Sequence, residues 1–394
     1  MTLEEAEILF SDEVRAAIEA NIDDDPLKIV FDKRVPHAAM VATQVKYLQR
    51  ARKKLPSYYA ARCVVPPTGF EQASSERVAQ EHAVGHMGAL CIDLTCGLGV
   101  DSFAFSRRFD KVIAVERNPV TAYVARRNFE LLGVHNIEVV NASAEDFLSA
   151  NEGLRRADLI YIDPDRRDAT GRRVAHPSDC SPDVLALMPQ LRRTGERVLI
   201  KLSPLFDVDE VFRVFGDRTR VEAVSLDGEC KEVTVEVGDA VCERVIAARI
   251  TGFGVIESPA SQATETPEIQ SDVSSFDYLV IPDVALVKAR IAQRYFTGAG
   301  LRIESDNSYA FGSILPPCLP GKAYRITAMR PYSPKKLARE LRDAGIRRAD
   351  ILQRDFALRN DVIARQLDIT EGGPVKIVFT RIGGEQRAIF IAEI

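Results

Sequence analysis

Cys91-Ile92-Asp93-Leu94-Thr95-Cys96-Gly97-Leu98-Gly99-Val100-Asp101 is the stretch on which the reading of the fold turns. An apolar run of strand type meets a Gly-rich turn, and a helical pattern opens directly behind it. Glycine at 97 and 99 removes the Cβ atoms that would hold a ligand off the backbone, as a nucleotide-type cofactor requires. G-x-G also marks dinucleotide sites, but the third glycine of that fingerprint is missing, since position 102 is Ser. Asp93 stands four residues before Gly97, at the end of the strand.

Outward from this motif, short apolar runs alternate with helical stretches. The runs are ALCIDLT (89–95), KVIAVE (111–116), IEVVNA (137–142), ADLIYID (157–163) and RVLIKLS (197–203). Segments such as PVTAYVARRNFELLG (119–133) and SPDVLALMPQLRR (181–193) separate them. This alternation predicts an α/β fold, a largely parallel sheet with crossover helices. VEAVSL (221–226) and RVIAARI (244–250) are expected to add antiparallel strands at its edge.

The flanks differ. Residues 1–70 read as a helical N-terminal region, with AAMVATQVKYLQRARKKL (38–55) as its longest piece and Pro56 as its stop. EQASSERVAQEHAVGHM (71–87) reads as a further helix, with Ser74 or Ser75 as its cap. Residues 257–275 are polar and aromatic-free, a linker or long surface loop. FDYLVIPDVALVKARIAQRYF (276–296) then starts a new unit as a strand followed by one amphipathic helix. Beyond residue 322 come strand, helix, strand, helix and a hairpin with Gly383-Gly384 at its turn, a compact α+β module.

With 394 residues, 46% apolar and 28% charged, the chain has soluble globular composition and several domains' worth of core. No apolar run is long enough for a membrane helix. The acidic start MTLEEAEILFSDEV has no secretory pattern, so a cytoplasmic location is expected. The seven cysteines are scattered, with no C-x-x-C pair, which points to reduced core residues. His82 and His86 lie four apart, but no third ligand accompanies them; they read as surface or packed histidines, and no metal is expected. Net charge is −5, whereas residues 322–394 carry +6, a basic module on an acidic remainder.

The D-x-x-x-G-x-G arrangement resembles motif I of the class I S-adenosylmethionine-dependent methyltransferases. In that comparison Asp93, Thr95, Gly97 and Gly99 form the cofactor loop. Glu116 falls where the family binds the ribose hydroxyls, and Ser143 with Ala144 where it contacts adenine. Asp163-Pro164-Asp165-Arg166 is similar to the Asp/Asn-Pro-Pro-aromatic motif of enzymes that methylate exocyclic amines of bases. There a side-chain oxygen and a backbone carbonyl orient the amine, so Asp163 and Pro164 are the catalytic candidates. Arg166 replaces the aromatic and can stack or bind phosphate through its guanidinium plane.

More of the chain resembles the bacterial methyltransferases with a C-terminal THUMP-like domain. The matching stretches are KKLP (53–56), EQASSE (71–76), IDPDRR (162–167), KLSP (201–204), ECKE (229–232) and the end beginning YSPKKLARELRDAGI. The resemblance implies a helical region over 1–70, a Rossmann-like methyltransferase domain over 71–256, a small ferredoxin-like unit over 276–321 and a THUMP-like domain over 322–394. It implies S-adenosyl-L-methionine as cofactor and RNA, tRNA or rRNA, as partner. Lys335, Lys336 and Arg339 are candidate phosphate contacts on one helix face, and Lys201, after the fifth strand, is another at the sheet rim. Two other readings stay open: an RNA-binding protein whose methyltransferase fold is inactive, and a methyltransferase acting on protein or small molecules.

Overall fold

The computed structural model describes residues 1–151, 153, 156–165, 176–259 and 276–394. Arg166 and residues 260–275 of the expected linker lie outside the described residues. The chain divides into two compact units, one of 1–221 with 232–244, the other of 222–231 with 245–394.

In the first unit, seven helices precede the sheet: α1 (Leu3–Leu9), α2 (Asp12–Ala20), α3 (Pro26–Phe31), α4 (Ala38–Lys54), α5 (Pro56–Ala60), α6 (Pro67–Gln72) and α7 (Glu76–Val84). Their starts follow from local chemistry. Thr2 and Glu5 form a capping box on α1, Ser11 and Ser75 cap α2 and α7, and Pro56 closes α4 while opening α5. Ser75 is thus the cap of α7, which leaves Ser74 for another task.

The sheet follows as β1 (Gly88–Asp93), α8 (Val100–Phe105), β2 (Phe109–Glu116), α9 (Pro119–Leu131), β3 (Ile137–Asn141), α10 (Ala144–Ala150), β4 (Leu159–Ile162), α11 (Val184–Thr194), β5 (Arg197–Leu202), α12 (Val208–Phe215), β6 (Thr219–Leu226) and β7 (Glu229–Gly238). Strand order is β3-β2-β1-β4-β5-β7-β6. The first five strands are parallel, and β7 pairs antiparallel with β5, Lys201 opposite Thr234. Here the structure adds to the sequence reading: the neighbour of β5 is ECKEVTVEVG, in which Val233, Val235 and Val237 alternate with Glu232, Thr234 and Glu236. The order reverses between β1 and β4, the switch point at which open α/β sheets bind ligands.

The N-terminal helices are built into the same core as this sheet. Buried Val41, Val45, Leu48, Tyr58 and Phe70 join Cys91, Phe105, Val112 and Phe129 in one cluster. Asn128 of α9 clamps Val64, accepting its N–H at 2.9 Å and donating to its carbonyl at 2.8 Å.

The second unit contains the antiparallel pair β8 (Val245–Ile250) and β9 (Gly254–Pro259), so residues 257–259 of the expected linker are strand. After β10 (Tyr278–Pro282) come two short helices, α13 (Val284–Lys288) and α14 (Ala292–Gly298), in place of the single helix expected. The break is at Arg290, whose φ of 55° is left-handed. The rest is β11 (Arg302–Ile303), β12 (Ala310–Gly312), β13 (Gly321–Pro331), α15 (Pro334–Asp343), β14 (Arg348–Gln353), α16 (Asn360–Leu367), β15 (Thr370–Glu371), β16 (Val375–Ile382) and β17 (Glu385–Glu393).

Strands β8 and β9 continue the first sheet beyond β6, as expected for RVIAARI, making it nine-stranded, whereas β10 to β17 form an eight-stranded sheet, β11-β12-β10-β13-β17-β16-β14-β15. Gly383 and Gly384, both at positive φ, make the tight β16–β17 turn. Leu337 and Leu341 of α15 pack with Ile363 and Leu367 of α16 against Ile377 and Phe379.

Candidate active site

The two glycines of the motif serve different ends. At Gly97, φ is 55° and a Cβ would meet nothing closer than the Thr95 carbonyl oxygen at 4.0 Å, so its α-carbon faces open space. At Gly99, φ is 88° and a Cβ would fall 2.4 Å from Cζ of Phe129. Gly99 is therefore required by helix packing, and Gly97 is the position open to a ligand.

The loop is sewn down from both sides. Asp93, 1% exposed, accepts the Thr95 N–H at 3.0 Å and the Ser102 hydroxyl at 2.5 Å. Burial pushes its carboxyl up to about 7, against the pull of those two bonds, with Asp101 and Asp163 adding to the rise. Both Asp93 oxygens thus serve the loop's own shape. Thr95 Oγ1 accepts the Asp163 N–H at 2.7 Å, which fixes the end of β4 beside the loop. Tyr58 of α5 donates to the Leu98 carbonyl at 3.1 Å.

Glu116, at the end of β2, accepts the Gly97 N–H at 2.9 Å and the Asn118 N–H at 2.8 Å. Its carboxylate oxygens keep further lone pairs for hydroxyl donors. Asn141 at the end of β3, a residue the sequence reading passed over, ties this rim together by donating to the Glu116 carbonyl at 2.8 Å. Ser143 caps α10: its hydroxyl accepts the Asp146 N–H at 3.0 Å and donates to Asp146 Oδ2 at 2.7 Å. Ala144, next to it, is buried.

Asp163, Pro164 and Asp165 follow β4. Asp165 and Ser181 exchange backbone hydrogen bonds at 2.8 and 3.0 Å, and Arg117 reaches the Ser181 hydroxyl at 2.8 Å. Asp163 Oδ2 lies 2.6 Å from the Lys201 ammonium. Lys201, expected as a phosphate contact at the sheet rim, is 5% exposed: its stem is in the sheet and its head belongs to a buried ring.

That ring runs from Lys201 to the Ser74 hydroxyl at 2.9 Å, from Ser74 to Asp101 at 2.8 Å, from Asp101 to His82 Nδ1 at 2.7 Å, from His82 Nε2 to Glu232, and back from Glu232 to Lys201 at 3.8 Å. His82, assigned from sequence to the surface or to ordinary packing, is the hub. Burial alone would lower its pKa, but Glu232 and Asp101 hold the imidazolium and push it up to about 10. Asp101 falls to about 2 despite burial, chiefly through its bond to His82. Burial depresses Lys201 too, yet Asp163, Glu232 and Asp101 leave it above its ordinary value. For Asp163 burial wins, and its carboxyl stays above the usual range although Lys201 lowers it. Among the described residues no group of three His, Cys, Asp or Glu side chains is placed to hold a metal ion.

Residues 321–393 match the family model described as THUMP domain-like, and residues 77–170 the model described as conserved hypothetical protein 95. Two uncharacterized S-adenosylmethionine-dependent methyltransferases from strains of Mycobacterium tuberculosis are each 26% identical over 321 residues, 80% of this chain and 83% of theirs. The chain is an S-adenosylmethionine-dependent methyltransferase with a THUMP-like C-terminal domain. A solved structure from Porphyromonas gingivalis W83, assigned as a methyltransferase, superposes with a TM-score of 0.80 over 96% of this chain and 97% of that one, at 24% identity, and shares its fold. A tRNA/tmRNA (uracil-C(5))-methyltransferase of Yersinia enterocolitica is 30% identical over 149 residues, only 32% of this methyltransferase and 39% of the relative.

In the THUMP-like domain, Lys335, Lys336 and Arg339 are all exposed on α15, opposite buried Leu337, Ala338 and Leu341. Arg339 lies 3.7 Å from Asp343, one turn on. No helix among the described residues is long and apolar enough to cross a membrane.

Proposed function

We propose that this methyltransferase acts in the cytoplasm and methylates an exocyclic amine of a base in structured RNA, tRNA or rRNA. The observation that carries the reading is Asp163: a carboxylate at the end of β4, tied to the Gly-rich loop through Thr95 and held by Lys201 on one oxygen. The THUMP-like match, its basic helix and the partial likeness to a tRNA/tmRNA methyltransferase support RNA as substrate class.

S-adenosylmethionine supplies an electrophilic methyl group when bound. Gly97 offers the open backbone and Glu116 the hydroxyl acceptor, with Asp93 and Thr95 shaping the loop and Ser143-Ala144 forming the adenine side. Gly99 contributes through packing. Asp163 Oδ1 and the Pro164 carbonyl accept the amine's N–H bonds, aiming its lone pair at the methyl carbon. Asp163 would take the proton that the amine nitrogen sheds when the cofactor's S–CH3 bond is exchanged for the new N–CH3 bond, the cofactor leaving as the neutral thioether. A neutral amine needs no stronger base, so catalysis is positioning.

The test is transfer of radiolabelled methyl groups to RNA from a strain lacking the gene, by wild type and Asp163→Ala. Label in base amines with wild type alone is expected. RNA binding without transfer by the wild type would leave only an inactive RNA-binding fold, and label in protein or small molecules would overturn the RNA reading.

A further inference from the structure

Residues 46–54 of α4 hold five cations, Lys46, Arg50, Arg52, Lys53 and Lys54, and no acid. Positions 46, 50, 53 and 54 recur at helical spacing and share one face. Lys46, Arg50 and Lys53 are exposed, while Val45, Leu48 and Ala51 are buried in the core. Two of the cations are paired with acids, Arg50 with Glu71 at 2.6 Å and Arg52 with Asp23.

The stripe is held in place rather than waving in solvent. The Arg50 guanidinium lies 5.2 Å from the Tyr47 ring centre and 4.8 Å from that of Phe70. Lys54 sits 4.7 Å over the Phe70 ring and donates to the Phe70 carbonyl at 2.5 Å. Ordering these long side chains in advance lowers the entropy cost of binding an anion.

α6 links the stripe to the active site. A Cβ at Gly69 would touch Leu98 of the cofactor loop at 3.8 Å. Four residues after Phe70 comes Ser74, which accepts from Lys201, the residue that holds Asp163. Four residues span at most about 14 Å, so the cations begin a few nucleotides' length from the reacting carboxylate. Phe70 is 4% exposed and offers no platform for a base. What the surface offers is charge.

We infer that the Lys46–Arg50–Lys53–Lys54 face of α4 binds the phosphate backbone of the RNA substrate next to the methylated base. This rests on the RNA reading of the active site. The contact is sequence-independent and adds to whatever the THUMP-like domain holds.

The test measures binding of fluorescein-labelled bulk tRNA by anisotropy, with full-length wild type, Lys46→Glu/Lys53→Glu and Lys46→Ala/Lys53→Ala. Charge reversal is expected to weaken binding about tenfold or more at about 100 mM salt, and the alanine pair to lower the slope of log K against log salt by about 1.5 to 2. S-adenosylmethionine affinity and melting temperature serve as fold controls and stay at wild-type values. Equal tRNA affinity in wild type and the reversed variant would overturn the inference while leaving the RNA reading intact. Failure of the wild type to bind tRNA or rRNA would overturn both.

Discussion

Lys201 Nζ lies 2.6 Å from Asp163 and 2.9 Å from Ser74, so one buried ammonium joins the carboxylate at the end of β4 to the segment that leads out of the N-terminal helices. Lys201 has no water to fall back on, and neither has Glu232 beside it. A buried ion network depends on every partner, because removing one leaves an uncompensated charge.

Lys201→Met is therefore expected to destabilise the first unit by about 3–5 kcal/mol, read as a lower midpoint in urea. Lys201→Arg keeps the charge, but a planar fork does not fit the tetrahedral arrangement around an ammonium. It is expected to fold and to lose about a hundredfold in methyl transfer through misplacement of Asp163. Near-wild-type transfer by Lys201→Arg would show that Asp163 is positioned by the backbone alone.

The His82 imidazolium gives stability a particular pH dependence. Its pKa is about 10 in the folded protein against an ordinary value near 6.5. The folded state therefore holds more protons between those values, and stability falls as pH rises, by up to about 1.4 kcal/mol per pH unit for one extra proton. The contribution is complete below about 6.5 and gone above 10. His82→Gln should flatten the decline between about pH 6.5 and 8.5, while the buried thiols, common to both proteins, act alike in each. Parallel wild-type and variant curves in denaturant would mean that His82 is neutral in the fold.

The motif glycines make separable predictions. Gly99→Ala places a methyl group into the Phe129 ring at a left-handed φ, so the melting temperature should drop by several degrees, a cost of about 2 kcal/mol or more. Gly97→Val meets no packed neighbour, so beyond about 1–2 kcal/mol of backbone strain its main effect is expected in S-adenosylmethionine affinity, about tenfold or more by calorimetry. Unchanged affinity in Gly97→Val would move the cofactor away from this face of the loop.

Much of the parallel sheet was legible because buried strands read as apolar runs and their crossovers carry helical spacing. The Gly-rich turn also announced itself, although nothing in the letters separated Gly97 from Gly99; the difference lies in Phe129, thirty residues on. The charged ring was illegible for the same reason. Ser74, His82, Asp101, Asp163, Lys201 and Glu232 come from six places, and only tertiary pairing makes a buried charge tolerable. One signal was present: EQASSE, IDPDRR, KLSP and ECKE, picked out by resemblance, each contribute one member. That they converge on one network is visible only in three dimensions.

The basic face of α15 carries the last prediction. Lys335, Lys336 and Arg339 are exposed around a buried Leu337–Leu341 seam, so reversing all three to Glu changes charge without touching the core. Surface substitutions of this kind move stability by about 0.5 kcal/mol or less each. tRNA affinity should fall about tenfold or more, with a shallower salt slope, if each removed cation had displaced a counterion. Radiolabel transfer to RNA should then show a raised KM with kcat retained, as expected of contacts that hold substrate and transition state equally. A fall in kcat at unchanged KM would instead give the THUMP-like domain a part in arranging the target base.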